Sequence, residues 1–259
     1  MRFIISPAKQ MKIDTDSFVC TELPVFTDRA EILKDWIRSL SYEEQKTLWA
    51  CNDKIARQNA ERFAHMDLTK NLTPALLAYD GIQYTYMAPA VFEDGQFDYV
   101  QEHLRILSGF YGVVKPLDGA VPYRLEMQAK AAVSGHKNLY DFWGDSLYQE
   151  VIDESRILIN LASKEYSKCI EKYLRPEDRY IPVYLVSSRA AAWSRKAFTL
   201  RWPEVKWSAS WPVFMRRIRS RSKNLTGAGI VLTKTVLLLT NMFLSGLRSR
   251  ERHLGGEYI

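Results

Sequence analysis

Residues 104–127, LRILSGFYGVVKPLDGAVPYRLEM, join an expected helix end to a short apolar strand through a Ser-Gly-Phe-Tyr-Gly turn. Gly109 and Gly112 stand where a helix must stop and turn, and glycine lets the backbone approach a partner closely. Basic side chains lie on both sides of the turn, an arrangement that suits a phosphate-bearing partner. The segment therefore predicts either a helix C-cap followed by a core strand or a phosphate contact made by the turn.

Around this segment, residues 1–186 alternate helical and strand patterns. Arg2–Ile5 reads as a buried strand that ends before Pro7. Ser41 followed by Glu44 is a capping box, which predicts a helix start. The other expected helices cover residues 28–39, 97–107, 139–155 and 164–173, with further helix caps at Asn52, Asn138 and Ser163, and the other expected strands are Ile157–Asn160 and residues 180–186. These patterns predict an α/β (α+β) chain in which one compact domain has a mixed sheet surrounded by helices.

The composition is that of an ordinary globular protein, with 47% apolar and 25% charged residues among 259. Three widely spaced cysteines fit reduced thiols in a cytoplasm better than a disulfide framework. The four histidines form no metal-ligand spacing with them, so we expect no metal and no cofactor. No Walker loop, Gly-x-Gly-x-x-Gly motif or nucleophile elbow is present, which leaves enzymatic activity an open question.

Several blocks, in order along residues 1–186, are similar to those of the YaaA family of bacterial peroxide-stress proteins. They are FIISPAK (3–9), NDKIA (52–56), LAYDGIQYTYM (77–87), the 107–127 block, LYDFWGD (139–145) and INLASKEY (159–166). The resemblance implies a cytoplasmic protein that limits oxidative damage and free iron and binds duplex DNA. It also implies a YaaA-type fold with a helix-hairpin-helix element.

Duplex DNA is the main partner that we expect. The protein would contact the DNA backbone, and such contacts give little sequence preference. Lys54 and Arg57 lie one turn apart on one face of an expected helix. The turn resembles the hairpin of helix-hairpin-helix modules, although two residues rather than one separate its glycines. The full set of expected nucleic-acid contacts is Lys9, Lys54, Arg57, Arg105, Ser108, Gly109, Gly112, Lys115 and Arg124.

A pocket for a small phosphate-bearing or nucleotide-like ligand, as an enzyme would have, is the alternative. Lys9 follows the first strand, at the end where open α/β sheets place ligands, and lysine can hold phosphate as a point charge. Arg124 and Glu126 stand two apart, which places them on one face if the segment is a strand. The expected pocket residues are Ser6, Lys9, Tyr123, Arg124, Glu126 and Asn160. Ser163 and Glu165 could add to a polar site beside Asn160, but helix capping by Ser163 explains that pattern equally well.

Charge divides the chain at about residue 186, where the family resemblance also stops. Residues 187–259 contain 14 Lys/Arg and 3 Asp/Glu, which leaves 22 and 27 in residues 1–186. The net charge of +6 therefore comes from the tail. The apolar run at residues 235–247 is shorter than the ~20 residues that a bilayer span needs. We expect no membrane contact and a monomer.

The tail is best explained as an out-of-frame product. Permitted codons for residues 197–213, read one base earlier, can encode VYVKMARGEMVRFMAG, which contains the Lys-x-Ala-Arg-Gly-x-Met motif that the family carries here. The same shift over residues 229–245 permits GYRFDEDRSSADEHVFIR, which resembles the family's closing segment. Two matches in order and in one frame predict a frameshift near residue 187. We therefore expect a YaaA-like body over residues 1–186 and a poorly packed segment over residues 187–259.

Overall fold

Helices and short strands alternate along the described part of the chain, which in this computed structural model is residues 1–183. The strands are β1 (Arg2–Ile5), β2 (Gln10–Met11), β3 (Thr73–Pro74), β4 (Tyr79–Asp80), β5 (Leu104–Ser108), β6 (Gly112–Val114), β7 (Gly119–Ala120), β8 (Ile157–Asn160) and β9 (Arg179–Pro182). The α-helices are α1 (Thr27–Ser39), α2 (Tyr42–Trp49), α3 (Asp53–His65), α4 (Ala75–Ala78), α5 (Ile82–Met87), α6 (Asp94–His103), α7 (Leu139–Trp143), α8 (Ser146–Val151) and α9 (Lys164–Glu171). Met1–Pro182 forms one compact α+β unit, as expected.

A five-stranded mixed sheet lies at the centre, in the order β6-β5-β1-β8-β9. Strands β5, β1, β8 and β9 run parallel, and β6 returns antiparallel to β5 at the edge. In β1 the apolar residues Ile4 and Ile5 are buried between the two neighbouring strands. An apolar strand of this kind is typical of a parallel sheet that is covered on both faces.

Local capping signals set several helix boundaries as the sequence predicts. The Ser41 hydroxyl accepts a hydrogen bond from Glu44 N–H, and the Glu44 carboxylate accepts one from Ser41 N–H, which completes the capping box of α2. Asn52 caps α3 and Asn138 caps α7 through their side chains. The expected helix over residues 139–155 is instead two helices, because Gly144 takes φ +55° and ends α7.

The expected helix over residues 97–107 is wrong at its C-terminal end. Helix α6 ends at His103, and Leu104–Ser108 forms strand β5, in which every residue is buried. Pairing with β1 on one side and β6 on the other supplies backbone hydrogen bonds that a longer helix would forgo. The Ser-Gly-Phe-Tyr-Gly turn therefore joins two antiparallel strands rather than two helices.

Two further expectations from the sequence concern the chain from residue 180 onward. Strand β9 ends at Pro182, whereas the expected strand continued to residue 186. The expected poorly packed segment over residues 187–259 lies outside the described residues. Among residues 1–183, no helix is long and apolar enough to cross a membrane.

Candidate functional site

A polar pocket lies where the strand connections of the sheet change direction. The chain passes from β1 to β5 on one side of β1 and later returns to β8 on its other side. Open α/β sheets bind ligands at the carboxyl ends of strands beside such a reversal. Residues 6–9 follow β1 here, and residues 161–163 follow β8. Residues 6–9 and Ser163 line a cavity of about 190 Å³, which we call the switch-point pocket.

The switch-point pocket is built from three parts of the chain. Its lining consists of residues 6–9, residues 123–126, and Ser163, Glu165 and Tyr166. Ser6 Oγ accepts a hydrogen bond from Ser163 N–H at 2.8 Å and lies 3.2 Å from the Ser163 hydroxyl. Tyr84 donates its phenolic proton to the Ser6 carbonyl at 2.8 Å. These contacts fix the loop after β1 against the start of α9.

One carboxylate oxygen joins the two cations of the pocket. Glu126 Oε1 lies 2.9 Å from Lys9 Nζ and 3.1 Å from Arg124 Nη2. The Lys9 side chain is 65% exposed, whereas that of Arg124 is 12% exposed. Arg124 Nε is buried and has no hydrogen-bond partner among the described residues. The pocket wall therefore contains an unused donor, a feature that is uncommon in folded proteins.

A second carboxylate, Glu165, lies on the opposite part of the lining. Its Oε1 accepts a hydrogen bond from Gln128 N–H at 3.2 Å. Burial is the main cause that raises the pKa of Glu165, and the nearby charge of Glu126 adds to it while Lys9 opposes it. The pocket thus combines two cations with two carboxylates, one of which takes up a proton more readily than usual.

Tyr123 forms the inner wall of the pocket and belongs to the core. Its hydroxyl lies 2.8 Å from the Tyr79 hydroxyl and 2.6 Å from Ser108 Oγ. Burial raises the pKa of Tyr123 to about 12, so the phenol stays protonated. Its ring contacts the rings of Phe110 and Tyr111, which enclose it in the core.

The sequence-predicted pocket residues are mostly brought together. Ser6, Lys9, Tyr123, Arg124 and Glu126 all line the cavity. Asn160 does not line it, because its Oδ1 accepts a hydrogen bond from Ala162 N–H and shapes the turn after β8. Arg124 and Glu126 lie in an irregular segment rather than in the expected strand. Tyr166 was missed, since an apolar-face helix position gives no functional signal in sequence.

The glycine turn, which the sequence predicts to contact DNA, is enclosed by the protein. Ser108, Gly109 and Gly112 are all buried. Ser108 Oγ accepts hydrogen bonds from Phe110 N–H and Tyr111 N–H, and Gly109 O accepts one from the Trp143 indole. The N–H groups of Phe110 and Tyr111 in this turn therefore already have a partner inside the protein.

The expected DNA-binding cations are scattered and mostly paired. Arg105, in β5, is buried and donates to the Gln101 and Glu102 carbonyls at the end of α6, and burial lowers its pKa to about 10. Lys115 pairs with Glu22 at 3.0 Å. On α3, Lys54 is exposed, and Arg57 is 72% exposed but pairs with Asp53 at 2.7 Å. Arg105 therefore cannot reach a duplex from this conformation, whereas the α3 cations can.

Together, the fold and the site define an α/β protein with a polar pocket at the switch point of its central sheet. The sequence profile of the family described as "Peroxide stress protein YaaA" matches residues 1–194. The UPF0246 protein of Agathobacter rectalis is 63% identical over 183 residues, which cover 71% of this chain and 74% of that relative. The UPF0246 proteins of Ligilactobacillus salivarius and Desulfitobacterium hafniense are 52% and 55% identical over 181 residues, which cover 70% of this chain. The chain therefore belongs to the YaaA family of peroxide stress proteins.

Proposed function

We propose that this protein acts in the peroxide-stress response by binding a small phosphate-bearing, hydroxyl-rich ligand in the switch-point pocket. The observation that carries the proposal is the meeting of Lys9 and Arg124 beside the first turn of α9. Cationic side chains and the N–H groups of a helix start are both favourable partners for phosphate.

Glu126 and Glu165 indicate that the ligand also contains hydroxyl groups. Two carboxylates would repel a bare anion, but they accept hydrogen bonds from sugar hydroxyl groups. A cavity of about 190 Å³ is smaller than the ~300–1,000 Å³ typical of drug-sized ligands. A sugar phosphate therefore fits better than a whole nucleotide, whose base would extend out of the pocket.

Titration calorimetry with ribose 5-phosphate tests this proposal on the full chain. Lys9 is largely exposed, so Lys9→Ala removes a ligand contact without opening the core. We expect this variant to bind at least about tenfold more weakly, because hydrogen bonds to charged groups contribute ~1.5–3 kcal/mol. Lys12→Ala, which removes an exposed lysine outside the pocket, is the matched control. Absence of binding by the unmodified chain, or equal binding by Lys9→Ala, would overturn the proposal.

Duplex DNA is a second proposed partner, supported by the exposed cations of α3 and by what the family resemblance implies. Protection from free-iron damage and a cytoplasmic location are proposed with it. If Lys54 and Arg57 contact phosphates, replacing both by Ala should reduce the slope of log affinity against log salt by about one unit per lost contact. An unchanged slope in a folded double variant would remove this partner. Lys130→Ala, at an exposed position away from α3, serves as the control.

A further inference from the structure

A second cavity lies beside the middle of α9, away from the α9 residues that line the switch-point pocket. It has a volume of about 250 Å³. Three lysines line it together with the rings of Tyr140 and Tyr173. They are Lys137, Lys168 and Lys172, and we call this cavity the tri-lysine cleft. None of its lining residues belongs to the switch-point pocket.

Among residues 1–183, the three ammonium groups have no carboxylate partner. Lys168 and Lys172 stand one turn apart at the C-terminal end of α9, and Lys137 directly precedes the Asn138 cap of α7. Within residues 1–183, no Asp or Glu oxygen lies within 4.0 Å of any of these three Nζ atoms. Like charges one helical turn apart destabilise a helix, so this arrangement has an energetic cost unless an anion is bound.

The carboxylate that lines the cleft, Asp141, already has partners. Its Oδ2 accepts a hydrogen bond from Lys137 N–H at 3.1 Å and lies 3.5 Å from His136 Nδ1. Three lysines against one carboxylate leave two net positive charges in the cleft, although residues 1–186 as a whole are acidic. Cys169 closes the floor as an inert thiol, because burial raises its pKa to about 12.

We propose that the tri-lysine cleft binds a small dianionic phosphate compound, at a site separate from the switch-point pocket. Ammonium groups on flexible stems can surround a tetrahedral phosphate from three sides, which matches its charge and its several acceptor oxygens. Tyr140 and Tyr173 present flat apolar surface beside the charges, and the Lys172 Nζ lies 5.1 Å from the centre of the Tyr173 ring. The cavity is concave and small, so it suits a free phosphate compound better than a duplex backbone.

Calorimetric titration of the full chain with inorganic pyrophosphate tests the site. The double variant Lys168→Gln/Lys172→Gln removes two exposed charges and should bind pyrophosphate at least tenfold more weakly than the unmodified chain. Lys130→Gln removes one exposed charge elsewhere and should bind as the unmodified chain does. Circular dichroism should show the same helix content in all three proteins.

Lys9→Ala distinguishes the two sites, because it affects only the switch-point pocket. Pyrophosphate affinity that is retained in Lys9→Ala and lost in the double variant supports a separate site, whatever becomes of ribose 5-phosphate binding. Loss in Lys9→Ala alone, equal affinity in all variants, or no pyrophosphate binding by the unmodified chain would overturn the proposal. Loss of duplex DNA binding in the double variant with unchanged pyrophosphate affinity would also overturn it.

Discussion

Ser6 and Ser163 meet at the carboxyl ends of β1 and β8, where Ser6 Oγ accepts the backbone N–H of Ser163 at 2.8 Å. Ser163 stands at the N-cap position of α9, yet its own side chain makes no capping hydrogen bond. The loop after β1 and the first turn of α9 are therefore held together by a contact across 157 residues of sequence. This contact places the Lys9 segment beside Glu165 and so shapes the switch-point pocket.

The first prediction compares serines at two helix starts. Ser41→Ala removes a side-chain cap and should lower the free energy of unfolding by about 1 kcal/mol. Ser163→Ala should cost less than about 0.5 kcal/mol, because its hydroxyl does not cap α9. Urea denaturation of both variants measures the difference. Equal losses would show that Ser163 caps the helix after all.

The second prediction concerns two glycines. A Cβ atom at Gly109 would lie 2.5 Å from Leu125 O, whereas one at Gly95 would meet nothing within 4 Å. Gly109→Ala should therefore lower the free energy of unfolding by at least about 2 kcal/mol, because the backbone of residues 125–127 must move. Gly95→Ala, in α6, should be neutral or stabilising by up to ~1 kcal/mol. Equal thermal midpoints for the two variants would contradict the tight packing of the turn.

The third prediction concerns the charge balance of the switch-point pocket. Glu126→Gln removes the carboxylate that Lys9 and Arg124 share, so both cations become available to a ligand. The variant should bind inorganic phosphate more tightly than the unmodified chain and should be less stable, because Arg124 is left buried without its partner. Glu154→Gln, at an exposed position, controls for the change in net charge. Unchanged phosphate affinity in Glu126→Gln would argue against anion binding by these two cations.

The fourth prediction concerns pH. Asp118 is 2% exposed, and burial raises its pKa to about 6 in the folded protein. The pKa of Asp118 in the unfolded chain is ~3.9, so between pH ~3.9 and about 6 the folded state binds more protons than the unfolded state. The contribution of this group to stability is therefore lost as pH rises through about 6. Asn is neutral at every pH. The free energy of unfolding of Asp118→Asn, relative to that of the unmodified chain, should therefore increase from pH 4 to pH 7. The gain should reach at most about 3 kcal/mol.

Urea denaturation at several pH values measures the effect of Asp118→Asn. Other carboxylates, including Asp53 and Asp67, have lowered pKa values and titrate in both proteins, so the difference between the two curves isolates Asp118. Asp16→Asn, at an exposed carboxylate, controls for the loss of one negative charge. A curve for Asp118→Asn that is parallel to that of the unmodified chain would contradict the raised pKa.

The fifth prediction concerns residues 187–259. We expect the gene to carry a one-base insertion or deletion near codon 187. Correcting the frame should restore the VYVKMARGEMVRFMAG segment and extend the similarity along the rest of the relatives. The corrected chain should also bind ligand more strongly than the present one. The nucleotide sequence downstream of codon 187 tests this, and a shifted frame that does not encode this segment would contradict the prediction.

Local patterns in the sequence determined the elements whose signals lie within a few residues of one another. The apolar run of β1 and the caps at Ser41, Asn52 and Asn138 predicted their elements, because capping and helical periodicity act over one or two turns. Family-specific blocks likewise identified the family over residues 1–186, and its profile matches residues 1–194.

Tertiary structure alone decided the features that depend on contacts between distant segments. Residues 104–108 became a strand because β1 and β6 supply its hydrogen-bond partners, an arrangement that no local pattern specifies. The same packing buried the glycine turn. Lys9 and Glu165 line one pocket because the parallel strands β1 and β8 bring their carboxyl ends to one edge of the sheet, where the irregular segment that contains Glu126 also packs. The chemistry of the site was thus encoded in separate segments, and the long-range order of the strands assembled it.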